Sequence, residues 1–248
     1  EFFDDIEFHT SNREINTFTG TYKGKRISVL SSGMGPDNIE IVVNELDALF
    51  NIDFETKLPK NEITSLNLIR IGTSGALRED IGVVDSFLAS EYALGLDGLA
   101  YFYEDLRFVM EREMTASFIN QMDWDKNLPR PYAIESSKLL LDKLAGAFRR
   151  GITLTAPGFY APQGRKLRLD LSDDTIIDRA QTFKYGDHQV TNFEMETSAL
   201  YALSAMLGHE ALTVCNIIAN RVTNEFSPDY RSSMNKLITH MLDAVVDI

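Results

Sequence analysis

This chain of 248 residues has a single cysteine, Cys215, so an intrachain disulfide is excluded and no cysteine cluster can hold a metal. One unpaired thiol predicts a reducing, cytoplasmic setting. No apolar run approaches the roughly 20 residues that a membrane-spanning helix needs, and the opening Glu1-Phe2-Phe3-Asp4-Asp5 lacks the basic end of a signal peptide. Basic residues are also scarce: 24 Lys and Arg against 37 Asp and Glu give a net charge of -13. That balance opposes nonspecific binding to nucleic acid or to an anionic membrane, and points to a small-molecule partner. The four histidines, His9, His188, His209 and His240, are scattered with no ligand spacing among them, so no metal site is expected. Internal repeats and low-complexity tracts are absent too.

What is present is core-forming. The hydrophobic fraction is 44%, with 15 Phe, ample for one large α/β domain spanning residues 1–248. Arg26 to Ser31 (RISVLS) reads as a short strand running into Gly33-Met34-Gly35-Pro36. The glycines allow a tight turn or the close approach of a ligand such as phosphate, and the plain turn is at least as well supported. Pro36 suits the first turn of a helix with Ile39, Val42, Val43, Leu46 and Leu49 on its apolar face, which completes a strand, turn and helix unit. Asn51 to Ser65 is polar and aperiodic, and reads as a surface insertion.

Leu66 to Gly72 is the next strand, ending in a glycine turn at Thr73-Ser74-Gly75-Ala76. Arg70 is anomalous inside it, because a desolvated cation needs an anionic partner. An anion site and a structural ion pair are equally well supported. Val83 to Leu94 reads as strand, and Tyr101-Phe102-Tyr103 as core or subunit interface. Ser136 to Phe148 reads as an amphipathic helix, and Gly151 to Ala156 as a buried strand. Beyond that strand lies Pro157 to Arg165, a loop with two aromatics, a primary amide and a guanidinium, and in open α/β sheets ligands collect beyond such strand ends. Asp173 to Phe183 is expected to be helical and Gln189 to Phe193 extended. A helix from Met195 to about Leu207, a buried strand from Glu210 to Ala219 and a closing helix from Asp229 to Ile248 complete the chain. Alternating strands and helices predict a central sheet covered on both faces.

The stretch Asn192-Phe193-Glu194-Met195-Glu196-Thr197 places two carboxylates where a strand becomes a helix. A carboxylate there can grip paired hydroxyls through charge-assisted bonds, or it can simply complement the positive end of the helix.

Taken in order, Ile69 through Gly75, Phe159-Tyr160 through Gln163-Gly164-Arg165, Asn192 through Glu196, and Asn220-Arg221 resemble the nucleoside phosphorylase superfamily, and within it the uridine phosphorylases. The resemblance implies a three-layer α/β/α fold with a central mixed, partly barrel-like sheet. It implies that Glu196 holds the ribose 2′ and 3′ hydroxyls, with Met195 lining the sugar and Glu194 close by. Gln163 and Arg165 would hold the uracil edge, with Phe159 and Arg221 among the residues around the substrate. Arg70, Thr73 and Gly33 would bind phosphate, and Arg13 would reach the phosphate of a neighbouring subunit in a homodimer or trimer of dimers. Inorganic phosphate would be the co-substrate, with no metal or organic cofactor. Arg70, Arg165 and Glu196 would carry the catalysis. The family's amino-terminal Gly-Asp-Pro-x-Arg loop and an upstream histidine have no counterpart before Arg13, and His9 falls in the wrong place to substitute. An amino-terminal segment missing from this sequence is therefore expected, or else a phosphate site reduced in this branch, with the insertion at 51–65 a second departure.

Overall fold

The computed structural model describes residues 2–248. Its first three strands, β1 (Asp5–Asn12), β2 (Ile15–Tyr22) and β3 (Lys25–Leu30), form a small antiparallel sheet of their own in that order. Between β2 and β3 the two-residue turn Lys23-Gly24 has φ of 48° and 80°, the left-handed turn whose twist matches that of a hairpin. RISVLS is thus a hairpin edge and not the opening strand of the main sheet. Strands β1 and β2 escape the sequence reading because β1 is exposed along its whole length, leaving no half-buried alternation to detect.

Helix α1 (Pro36–Asn51) follows, with Pro36 in its first turn and Ile39 and Val43 buried, while Leu49 of the expected apolar face is exposed. The connection at 51–65 carries a minimal hairpin of β4 (Ile52–Asp53) and β5 (Leu58–Pro59). Strand β6 (Asn67–Ala76) runs straight through the expected glycine turn, so Thr73 to Ala76 are ladder residues paired with β12 and β11. Strand β7 (Phe87–Gly95) begins later than expected: Val83 is apolar because it packs in a satellite cluster with Ile81, Leu88 and Ile217, and Asp85 at φ 46° breaks the extended run.

The short helices α2 (Leu106–Val109) and α3 (Arg112–Gln121) then lead to β8 (Tyr132–Glu135). Next come α4 (Lys138–Leu144), β9 (Arg149–Thr155), α5 (Ile176–Thr182), β10 (Lys184–Tyr185) and β11 (His188–Glu194). The chain closes with α6 (Thr197–Leu207), β12 (Glu210–Asn220), β13 (Glu225–Phe226) and α7 (Tyr230–Val245). Helices α4 and α5 are each shorter than the apolar periodicity suggested; the Ser137 hydroxyl caps α4 by accepting from Leu140 N–H. Of the aromatic run, Phe102 is 89% exposed and so is no part of the core.

The large sheet has the order β13-β12-β6-β11-β9-β7-β8, with β10 on β11 and a further β12–β7 pairing. That last pairing closes β12, β6, β11, β9 and β7 into a ring, giving the mixed, barrel-like sheet of the expected α/β architecture. Neighbours β12–β6, β11–β9 and β7–β9 are parallel, whereas β6–β11 and β7–β12 are antiparallel. Helices α1 and α6 pack together on one side, and α4 and α7 on another against β12. Among the described residues no helix is long and apolar enough to cross a membrane.

Helix α6 is buried at every position from Thr197 to Ser204, as expected for a helix that is apolar or small all round. It straps the barrel at its closure. The Tyr201 hydroxyl donates to Ser90 O of β7 (2.7 Å) and accepts from Thr213 N–H of β12 (2.8 Å). Tyr201→Phe would strand both groups in the core, and we expect a loss of about 1–3 kcal/mol in urea unfolding. An unchanged midpoint would show that this strap contributes nothing to closure.

Candidate active site

Arg70 lies mid-strand in β6, where β11 hands over to α6. Its side chain is 15% exposed, and it meets two buried carboxylates: Nη1 is 3.1 Å from Glu194 Oε2, and Nη2 is bonded to Glu196 Oε2. Burial lowers the affinity of Arg70 for its proton, but Glu194, Cys215 and Glu196 more than reverse this and hold it firmly charged. The structural ion pair anticipated for Arg70 is therefore present, and both of its partners come from the Glu-Met-Glu triplet.

The two carboxylates differ in how fully they are occupied. Glu194 accepts from Thr155 Oγ1 (2.7 Å), Glu196 N–H (2.9 Å) and Thr197 N–H (3.0 Å). It thus serves as the acceptor for the unpaired N–H groups at the start of α6, the role that helix geometry demands of an acid at this position. Glu196 is the N-cap residue of α6, and its Oε1 accepts from Gly35 N–H at 2.7 Å, which brings the Gly33 to Pro36 turn against the carboxylate. A carboxylate has about four acceptor positions, so Glu196 retains capacity for further donors. Burial pushes its pKa up, with Glu194 adding to the effect and Arg70 opposing it. Met195, between them, is the one half-buried member of the triplet.

A second group forms beyond β9. Gln163, 3% exposed, ends a short 3₁₀ turn (Ala161–Gln163), and its Oε1 accepts from Arg165 Nη1 at 2.6 Å. Arg165 also donates to Phe159 O (2.6 Å), and its guanidinium lies 3.9 Å from the centre of the Phe159 ring. Arg221, just past β12, places Cγ and Cδ over Gly75, where a Cβ would lie 3.6 Å from each. Burial pulls its pKa down to about 10, and the charge of Arg165 adds to this. Among the described residues no carboxylate pairs with Arg165 or Arg221, and Arg221 Nη1 is buried without an acceptor. Asn220 beside it is fully engaged: Nδ2 donates to Arg78 O (2.8 Å) and Ile81 O (2.7 Å), and Oδ1 accepts from Val222 N–H (2.8 Å).

The expected residues thus fall into two groups, Arg70 with Glu194 and Glu196, and Gln163 with Arg165, Phe159 and Arg221. Others stand apart. Thr73 is half-buried opposite Asn216 of β12 and makes no side-chain bond to Arg70; Gly33, at φ 71°, reaches the cluster only through its turn; Arg13, at φ 51°, sits exposed in the β1–β2 turn with no bond to either group. Thr155 and Cys215 were missed by sequence reasoning, and the Gly33 to Pro36 turn was read without the bond that Gly35 N–H makes to Glu196. Thr155 reads there as one more β-branched strand residue, and a backbone N–H such as that of Gly35 leaves no trace in composition.

The chain as a whole resembles known proteins. The model of the phosphorylase superfamily matches residues 1–246. Purine nucleoside phosphorylases of the DeoD type from Bacillus thuringiensis and Bacillus mycoides are each 31% identical over 247 residues, covering 99% of this chain and 86% of theirs. The crystal structure of a Trypanosoma brucei nucleoside phosphorylase, described as showing uridine phosphorylase activity, superposes with a TM-score of 0.84 at 27% identity, covering 100% of this chain and 88% of that one. With the family model spanning almost its whole length and relatives above 30% identity, this chain belongs to the phosphorylase superfamily.

Proposed function

We propose that this protein cleaves uridine with inorganic phosphate, giving uracil and ribose 1-phosphate. The observation that carries the choice of base is the pair Arg165 and Arg221, two guanidiniums without carboxylate partners beside the buried amide of Gln163. Breaking the bond between C1′ and N1 leaves the electron pair on the pyrimidine, so negative charge builds on its carbonyl oxygens. Cationic donors that no carboxylate neutralises, set at that edge, stabilise the leaving base. A phosphate oxygen then bonds C1′ from the opposite face, held by Arg70 with Thr73 and the Gly33 turn, and positioning supplies much of the rate. Glu196 accepts from the ribose hydroxyls, and Met195 and Phe159 line the sugar and base. On this reading phosphate is a co-substrate, no metal or organic cofactor takes part, and the working unit is a homodimer or trimer of dimers in which Arg13 serves the adjacent site. The buried free thiol of Cys215 fits a reducing cytoplasm.

The purine reading is favoured by the names of the Bacillus relatives. A purine leaving group calls for a carboxylate near its ring nitrogen, and the end of β12 offers Ile217-Ile218-Ala219-Asn220-Arg221, with Asn220 already engaged. We therefore expect uridine to be cleaved well and only with phosphate. Deoxyuridine and thymidine should be weaker substrates, cytidine poor and inosine hardly turned over, since a site built around specific hydrogen bonds rejects analogues lacking them by about 10⁴-fold. One panel of these five nucleosides, with and without phosphate, decides the matter. Inosine as the best substrate would overturn the pyrimidine reading, and phosphate-independent release of uracil would make the enzyme a hydrolase.

The two carboxylates should part company on mutation. Glu196→Gln keeps the acceptor for Gly35 N–H but turns an amide N–H₂ toward Arg70 Nη2; it is expected to raise the barrier behind kcat/KM by about 1.5–3 kcal/mol, the value of a charge-assisted bond, beyond a loss of about 1–3 kcal/mol in urea unfolding. It should also abolish an acid limb in the pH profile, which we place above the ordinary carboxylate range because burial raises this pKa and activity falls as the group protonates. Glu194→Gln sets an amide N–H₂ among donors and should cost about 1–3 kcal/mol of stability. Equal effects of both changes on stability alone would reduce Glu196 to a helix-end residue.

A further inference from the structure

Two residues with no ligand-binding role in the reading above lie against Arg70. Gly72 follows it by two positions on β6, so both project from the same face of the strand. The arginine folds along its own strand: a Cβ added at Gly72 would fall 2.6 Å from Nη1, 2.7 Å from Cζ and 2.8 Å from Nη2. Gly72 does not belong to the glycines with positive φ, so what this position uses is the missing side chain and not backbone freedom.

The tip of a long side chain ordinarily swings away from such a contact. This one is pinned, with Glu194 Oε2 3.1 Å from Nη1, Glu196 bonded to Nη2, and Cys215 Sγ accepting from Nη1 at 3.7 Å. Cys215 is the residue paired with Gly72 across the parallel β6–β12 ladder. The two make a shelf, bare at one position and bearing a small thiol at the other. The height of that shelf decides how deeply the guanidinium lies between the carboxylates and where its unused N–H donors point, out of the five it possesses.

We propose that Gly72 and Cys215 are positioning residues for the anion subsite, fixing the place at which Arg70 presents its remaining donors to an oxyanion of the phosphate class. The inference rests on Arg70 as the phosphate ligand in the reading above. Steady-state kinetics on the full chain, varying uridine and inorganic phosphate separately, test it. Gly72→Ala should raise KM for phosphate about tenfold or more while moving KM for uridine less than about threefold, the split expected when one subsite is displaced and the other kept. In an Arg70→Lys background, which lacks the planar fork, the same alanine should add little, because residues acting through one another are not additive. Cys215→Ser keeps an acceptor and should stay near the starting values, whereas Cys215→Val should raise KM for phosphate severalfold, and this pair carries the test if Gly72→Ala does not fold. An unaltered phosphate KM in Gly72→Ala or in Cys215→Val, or equal rises in both KM values, would overturn the inference alone. A starting protein whose uridine cleavage ignores phosphate would overturn it together with the functional reading.

Discussion

A guanidinium in the wall of a closed sheet is the constraint on which this structure turns. Leaving Arg70 unpaired in β6 would cost several kcal/mol, and the chain answers with two carboxylates delivered from one place, the junction of β11 and α6. That answer sets the geometry around it. Strand β11 must end at Glu194, α6 must begin with Glu196 as its N-cap, and Thr155 of β9 must stand beside them to complete the acceptor set. The Gly33 to Pro36 turn is drawn in through Gly35 N–H. Four stretches far apart in sequence are held by a single buried charge.

The cationic groups of the site are consequently unlike one another. Arg70 sits with two acids, a cluster whose formal charge is negative, and it acts as a fixed and deeply charged donor. Arg165 and Arg221 have no such partners, and burial with mutual repulsion leaves Arg221 easier to deprotonate than an ordinary guanidinium. Two guanidiniums with no carboxylate to neutralise them would be stabilised by an electron-rich group arriving between them. In the function proposed above, charge developing on a departing base would be such an event, and preorganised donors would meet it without rearrangement.

Much of this was legible in the sequence, and the limits are physical. Long apolar segments announced themselves: β12, α6 and α7 lie close to where periodicity put them. Helix α6 was drawn two residues too early because Met195 and Glu196 continue its composition, whereas the hydrogen bonds of Glu194 mark the true start. Strand β1 carried no signal because it is exposed along its whole length, and Thr73 to Ala76 looked like a turn because small residues and a glycine suit a turn as readily as a strand. For Arg70, local sequence left the choice between anion site and ion pair open, since the answer lies more than 120 residues away at Glu194 and Glu196. The shelf of Gly72 and Cys215 was invisible for the same reason.

The central claim, that Arg70 rather than the free pair of arginines receives the phosphate, can be seen directly. Crystals soaked in arsenate, a phosphate mimic with an anomalous signal, should show a peak within about 4 Å of the Arg70 guanidinium carbon, the reach of a charge-assisted hydrogen bond to an oxyanion. A peak seated between Arg165 and Arg221, with none at Arg70, would contradict the account, leaving Arg70 a purely structural cation and assigning the anion to the place reserved here for the base.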